Sequence, residues 1–156
     1  MTEAARIETI EIYSKGEYPA NILSNFSPNG FLFDGVECRS MEGFLQSLKY
    51  RNTEKQKAVC GLTGGKAKAA GKRRFLWKIT GNLYWKGRRY KRNGREFDLL
   101  RLAAYEALFS NDVFCAALQS AKGKILKHSI GKHKKRATIL TEEEFIGYLN
   151  RLSEKI

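Results

Sequence analysis

Glu42, Gln46 and Lys49 bring a carboxylate, an amide and an ammonium into the stretch Ser40-Met41-Glu42-Gly43-Phe44-Leu45-Gln46-Ser47-Leu48-Lys49-Tyr50 at i, i+4 and i+7. A helix turns about 100° per residue, so the three fall within roughly 60° of one another. Met41, Phe44, Leu45 and Leu48 form a separate apolar stripe about 120° away. The polar row therefore borders the core, where it can line a pocket. In such a pocket a carboxylate can steady an oxocarbenium-like sugar and orient or deprotonate water, while cations hold a diphosphate. Spacing alone favours a plainer arrangement, with Ser40 as N-cap, Glu42 complementing the positive helix start, and Gln46 and Lys49 solvated.

The elements that must position this helix are legible around it. Ile10 and Ile12 alternate within Ile7 to Tyr13, a short strand. Phe31-Leu32-Phe33 and Val36-Glu37-Cys38 flank Asp34-Gly35, a dipeptide that tolerates the positive φ angles of a two-residue hairpin turn. Thr53 to Cys60 reads as a helix capped by Thr53, and Gly65 to Arg74 as another. Phe75 to Arg92 has aromatics but no clean period and reads as a loop with short turns. Asn93 to Phe109 is amphipathic. Asn111 or Asp112 can cap a helix through Leu118, and Thr141 with Glu144 fits a capping box opening the last helix. The expected fold is a predominantly helical α+β single domain, residues 1–156, with a small antiparallel β element.

Charge narrows the ligands. From Lys55 to Arg95 there are 14 Lys and Arg and no acid; Val113 to Thr141 adds seven more, so 21 of the 29 cations lie in two acid-free stretches. Such a field attracts nucleic acid, nucleotides or phosphorylated ligands. Trp77, Tyr84, Trp85 and Tyr90 interleave with the cations, which suits stacking on bases. No apolar run is long enough to span a membrane, and Met1 to Arg6 lacks the features of a secretory signal. Cys38, Cys60 and Cys115 are odd in number without a Cys-x-x-Cys pair, so reduced thiols in a cytoplasmic protein are expected.

Several other chemistries are excluded. Gly61-Leu62-Thr63-Gly64-Gly65-Lys66-Ala67 has the wrong glycine spacing for a phosphate loop, with Ala67 where a hydroxyl is required. His128 and His133 have no Cys or acidic partner at metal-ligand spacing, so no metal is expected. There is no Gly-x-Ser-x-Gly elbow.

The ordered strings Leu23-Ser24-Asn25-Phe26, Phe33-Asp34-Gly35-Val36, Ser40 to Lys49, His128-Ser129-Ile130-Gly131 and Thr138 to Phe145 resemble the NADAR superfamily over nearly the whole chain. That resemblance implies an N-glycosidase that removes ADP-ribose or ribose-phosphate from a nitrogen, without a cofactor. It implies Glu42 as leading catalytic carboxylate, Lys49 engaging the ribose or leaving group, and Gln46 orienting water or a sugar hydroxyl. Tyr13, Ser24, Asn25 and Phe26 would shape the ligand pocket. Gly71 and Lys72 would lie near a phosphate, and Trp85, Arg92 and His128 near the ligand. The glycine-rich ending common in relatives is replaced here by His128 to Phe145, which leaves Glu142 or Glu144 to complete the site. The implied substrate is an ADP-ribosylated nucleic acid or nucleoside, guanine in DNA or RNA being favoured by the clustered cations. Phosphorylated riboflavin intermediates, or a non-catalytic nucleic-acid-binding role, are the alternatives. An ADP-ribosyltransferase toxin stays open as a partner.

Overall fold

The computed structural model describes residues 6–156; the expectation about a secretory signal falls largely on Met1 to Ala5, outside the described residues. In chain order the elements are β1 (Thr9–Glu11), α1 (Ala20–Leu23), β2 (Phe31–Phe33), β3 (Val36–Cys38), α2 (Met41–Ser47), α3 (Thr53–Cys60) and α4 (Gly64–Lys72). There follow α5 (Trp77–Thr80), β4 (Asn82–Trp85), β5 (Arg88–Lys91), α6 (Arg95–Leu108), α7 (Asp112–Ser120), β6 (Ile125–Lys127) and α8 (Glu142–Ser153). The fold is α+β and mainly helical, as the sequence predicts.

The centre is α2. Phe44 and Leu48 are fully buried, and Phe44 meets Phe31, Phe33 and Trp85 edge-on. Ser40 caps α2 through its hydroxyl, which accepts from Gly43 N at 3.0 Å and donates to Leu62 O at 2.9 Å. Gly43 is the close-approach position. A Cβ there would stand 2.5 Å from Leu62 O and 3.0 Å from Val59 O, so only glycine lets α3 lie this close to α2. The other side of the core is supplied by α6 and α8 through Phe97, Tyr105, Phe145 and Leu149.

The β2–β3 hairpin forms as expected, with Asp34 and Gly35 at φ 49° and 76° and Phe33 paired with Val36. The β content exceeds a single antiparallel element. Three separate two-stranded ladders are present among the described residues, and β1 pairs with β6 in parallel, Ile10 opposite Leu126. Phe75 to Arg92 is not a loop: it holds α5 and the β4–β5 hairpin, closed by Lys86 and Gly87 at φ 48° and 85°. The hairpin is fixed by tertiary packing, because Leu83 and Trp85 face the core while Tyr84 and Arg89 do not. Two helix starts shift. Asn52, not Thr53, caps α3 by accepting from Lys55 N at 3.0 Å, and α6 starts after Gly94 without a side-chain cap. The capping box at Thr141 and Glu144 is complete.

Candidate active site

A cleft of about 630 Å³ opens beside the polar face of α2. It is lined by Glu42, Gln46 and Lys49; α4 contributes Gly71 and Lys72, the segment after α1 contributes Ser24, Asn25 and Phe26, and Tyr13 and His128 also line it. The cleft therefore gathers residues that are distant in sequence but belong to the proposed constellation.

Glu42 is buried and is the only carboxylate among the described residues lining the cleft. Its backbone N–H donates to Asn25 O at 3.0 Å, and Gln46 Nε2 donates to its Oε1 at 2.8 Å. Burial pushes its pKa above the usual carboxylate range; the Gln46 amide and the ammonium groups of Lys49 and Lys68 oppose the rise without reversing it. Lys49 is driven the other way. Burial lowers its pKa to about 8, Glu42 opposing and Lys78 and Lys132 reinforcing the drop. Its Nζ lies 5.5 Å from the centre of the Trp77 ring and 3.4 Å from Gly71 O. A carboxyl with raised pKa and an amine with lowered pKa lining one cleft are suited to proton transfer near neutral pH.

The supports of this pair are equally specific. Gly71 has no room for a side chain: a Cβ would stand 1.6 Å from Gln46 Oε1 and 2.3 Å from its Cδ. Its role in the cleft is thus to let α4 close over the Gln46 amide. Gln46 Oε1 and Trp77 Nε1 are buried without hydrogen-bond partners. Asn25 is held by Tyr105, whose hydroxyl donates to Asn25 Oδ1 at 2.7 Å. Burial keeps the Tyr105 phenol protonated, so it can only donate here, and Asn25 Nδ2 is left as the amide's donor toward the cleft. His128 Nδ1 lies 2.9 Å from Ile12 O; because a carbonyl only accepts, Nδ1 carries a proton. Phe145 packs against that ring edge-on at 5.2 Å.

Four residues offered as ligand contacts stand outside the lining. Trp85 is buried against Phe33 and Phe44, and its indole N–H donates to Asp34 Oδ2 at 2.9 Å; it joins the β2–β3 turn to the core. Arg92 is consumed by Glu144, Nη2 to Oε1 at 2.7 Å, and by Thr138 O at 2.8 Å. Glu144 does not complete the cleft. It accepts from both Arg92 and Arg101, the latter at 2.8 Å, and from Thr141 N at 2.9 Å. Burial alone would raise its pKa, but the two guanidinium groups hold it down to about 2. Glu142 accepts from His128 N at 3.1 Å. These acids act through the wall they fasten: Arg92 and Arg101 hold the carbonyls of Thr138 and Ile139, both cleft residues.

Further cations and the aromatics Phe75, Trp77 and Phe145 stand in the lining where the sequence named no site residue. Lys68, Arg74, Lys78, Lys132 and Trp77 all face the cleft. Trp77 and Lys78 lay in the aromatic and basic segment already noted, and an alternating buried pattern in Leu83 and Trp85 was the missed sign that this segment folds back as a hairpin. Lys68 carried no local signal beyond charge. His133 meets Glu143 at 2.6 Å and Glu142 at 3.5 Å, a grouping of metal-ligand type that sequence spacing hid; His133 and Glu143 are exposed and satisfy one another as an ion pair.

Comparison with known proteins gives this geometry a lineage. A family model described as bacteriophage protein GP30.3 matches residues 17–154. The chain belongs to the bacteriophage GP30.3 family. A relative in that setting, an uncharacterised 17.1 kDa protein in the Gp30-rIII intergenic region of Enterobacteria phage T4, is 41% identical over 149 residues, covering 94% of this chain and 98% of that one. The GP30.3-family fold is also similar to the NMR structure of the E. coli protein YbiA, with a TM-score of 0.65 over 97% of this chain and 86% of that one. At 14% identity that likeness concerns the fold alone. No helix among the described residues is long and apolar enough to cross a membrane.

Proposed function

We propose that this GP30.3-family protein is an N-glycosidase that hydrolyses the bond between an ADP-ribosyl group and a nucleobase nitrogen, guanine in DNA or RNA being the favoured base. The single observation that carries this reading is the cleft that brings buried Glu42 of α2 together with Lys49, half-buried in the turn just past the end of α2, while its remaining charged lining is cationic. As the bond from the anomeric carbon to the base nitrogen stretches, positive charge grows on the ribosyl ring, and the Glu42 carboxylate stabilises it. Water oxygen bonds to that carbon as the nitrogen departs. Glu42 takes the water proton, and the Lys49 ammonium, with a pKa of about 8, supplies one to the leaving base. Gln46 keeps the Glu42 oxygen oriented. Lys68, Lys72 and Lys132 neutralise the diphosphate, and Asn25 Nδ2 offers a donor to a sugar hydroxyl.

Mass-spectrometric analysis of reaction mixtures tests the reading. Free ADP-ribose should form from an ADP-ribosylated guanine oligonucleotide or nucleoside. Turnover of a phosphorylated pyrimidine riboside, with none of the ADP-ribosylated guanine, would instead assign the cleft to riboflavin-type intermediates. Binding to unmodified nucleic acid without any product would leave a non-catalytic module.

A further inference from the structure

The turn from α4 into α5 carries an exposed surface that extends outward from the lining of the cleft. Phe75, Leu76 and Ile79 are 65%, 64% and 75% exposed, an uncommon concentration of unburied apolar side chains within five residues. They are interleaved with Lys72, Arg73, Arg74 and Lys78, all exposed. Among the described residues none of these four cations lies within ion-pair distance of a carboxylate, whereas Lys86, Arg88 and Lys155 each do. Arg74 is held in place by the Tyr50 ring, 4.6 Å from its guanidinium carbon, and Lys78 lies 6.0 Å from the centre of the Trp77 ring. Phe75, Arg74 and Lys78 also line the mouth of the cleft, and Ile130 and Lys132 stand in its lining from the loop after β6. The exposed aromatic is thus contiguous with the site and surrounded by unpaired positive charge.

We propose that this turn is the docking platform for the nucleotide next to the modified one, in a single-stranded polynucleotide drawn across the mouth of the cleft. The proposal rests on the N-glycosidase reading for what enters the cleft, but the platform is a binding claim in its own right. Phe75 offers its face to an unpaired base, and Arg73, Arg74 and Lys78 meet the flanking phosphates; every base has a π-face, so the contact is tolerant of sequence. A duplex keeps its bases stacked on each other and has none to offer Phe75. An anionic bilayer would satisfy the same mixture of charge and apolar surface. It would also seal a cleft whose mouth shares Phe75, Arg74 and Lys78 with the platform, whereas a strand crossing the mouth delivers a base to it.

Fluorescence anisotropy with labelled, unmodified twelve-nucleotide oligothymidylate measures the platform without any catalysis. Phe75→Ala should weaken binding at least fivefold, the low end of what loss of one stacked base produces, with an unchanged melting temperature because Phe75 is exposed. The wild-type affinity should fall with salt at a log–log slope of about −2, from the phosphate contacts of Arg73, Arg74 and Lys78 at roughly 0.7 each; Arg73→Gln should reduce the slope by about 0.7. Equal affinity of wild type and Phe75→Ala overturns the platform, as does tighter, Phe75-dependent binding to phosphatidylserine vesicles than to the oligonucleotide. Release of ADP-ribose separates this from the glycosidase reading. Phe75-dependent oligonucleotide binding without any release keeps the platform and removes the activity. Release from oligonucleotide and nucleoside that Phe75→Ala diminishes in equal proportion keeps the activity and removes the platform.

Discussion

Gly71→Ala is the substitution whose outcome depends most on the geometry under Glu42. The added Cβ would lie 1.6 Å from Gln46 Oε1, 2.3 Å from Cδ and 2.9 Å from Cγ, so the whole amide end must move by roughly 2 Å to regain van der Waals contact. If Gln46 stays, the overpacked α2–α4 contact costs about 1–3 kcal/mol. If it swings away, its hydrogen bond to the Glu42 carboxylate is lost, at about 1.5–3 kcal/mol. The molecule takes the cheaper course, and Ala in place of a helical Gly returns up to about 1 kcal/mol. The net expectation is a destabilisation of about 1–2 kcal/mol. In a Gln46→Ala background the obstructing amide is gone, so the same Gly71→Ala change should be neutral or stabilising by up to about 1 kcal/mol. Urea unfolding of the four proteins measures both. A Gly71→Ala effect of the same sign and size in the two backgrounds would refute this account of the glycine.

Three further outcomes follow from the site. The rate of ADP-ribose release should fall as pH rises through about 8, where Lys49 loses its proton, and Lys49→Arg, if active, should move that limb beyond pH 10; an unmoved limb would remove Lys49 from the profile. Glu144 has a folded pKa of about 2 against an ordinary 4.5, so its contribution is present above pH 4.5 and is lost as pH falls toward 2. At about 1.4 kcal/mol per pK unit the contribution is about 3 kcal/mol; acid titration of stability should show a loss near that size that is absent in Glu144→Gln. Tyr105→Phe removes the buried donor to Asn25 Oδ1 and should cost about 1–3 kcal/mol in thermal or urea unfolding, a change below 0.5 kcal/mol counting against the bond.

The elements closest to local chemistry were the legible ones. The Asp34-Gly35 turn, the Ser40 cap and the capping box of Thr141 and Glu144 are each decided by a few adjacent residues, and each forms as read. The polar row was legible in part: helical periodicity fixes Glu42 and Gln46 relative to Phe44 and Leu45 whatever surrounds them, but α2 ends at Ser47, and Lys49 reaches the cleft from the turn that follows rather than from the helix. The row's neighbours were not legible. Lys68 and Trp77 reach the cleft only through the packing of α4 and α5, and the parallel pairing of β1 with β6 joins three-residue strands more than a hundred residues apart. Glu144 illustrates the limit well: its local role as a cap was visible, but its second role, holding Arg92 and Arg101 and through them the Thr138–Ile139 wall, depends on α6 and the turn after β5 arriving at the same place. Trp85 failed as a ligand contact for a related reason, since an aromatic beside cations looks alike in sequence whether it faces a ligand or Phe44.

The central claim is that Glu42 in this cleft carries N-glycosidic hydrolysis. Its most direct test is the rate of ADP-ribose release from an ADP-ribosylated guanine oligonucleotide by wild type and by Glu42→Gln, with circular dichroism as the control for folding. Wild type should release ADP-ribose, and Glu42→Gln, correctly folded, should lose that activity by two orders of magnitude or more. Wild-type turnover by folded Glu42→Gln, or no release by wild type between pH 5 and 9, would contradict it.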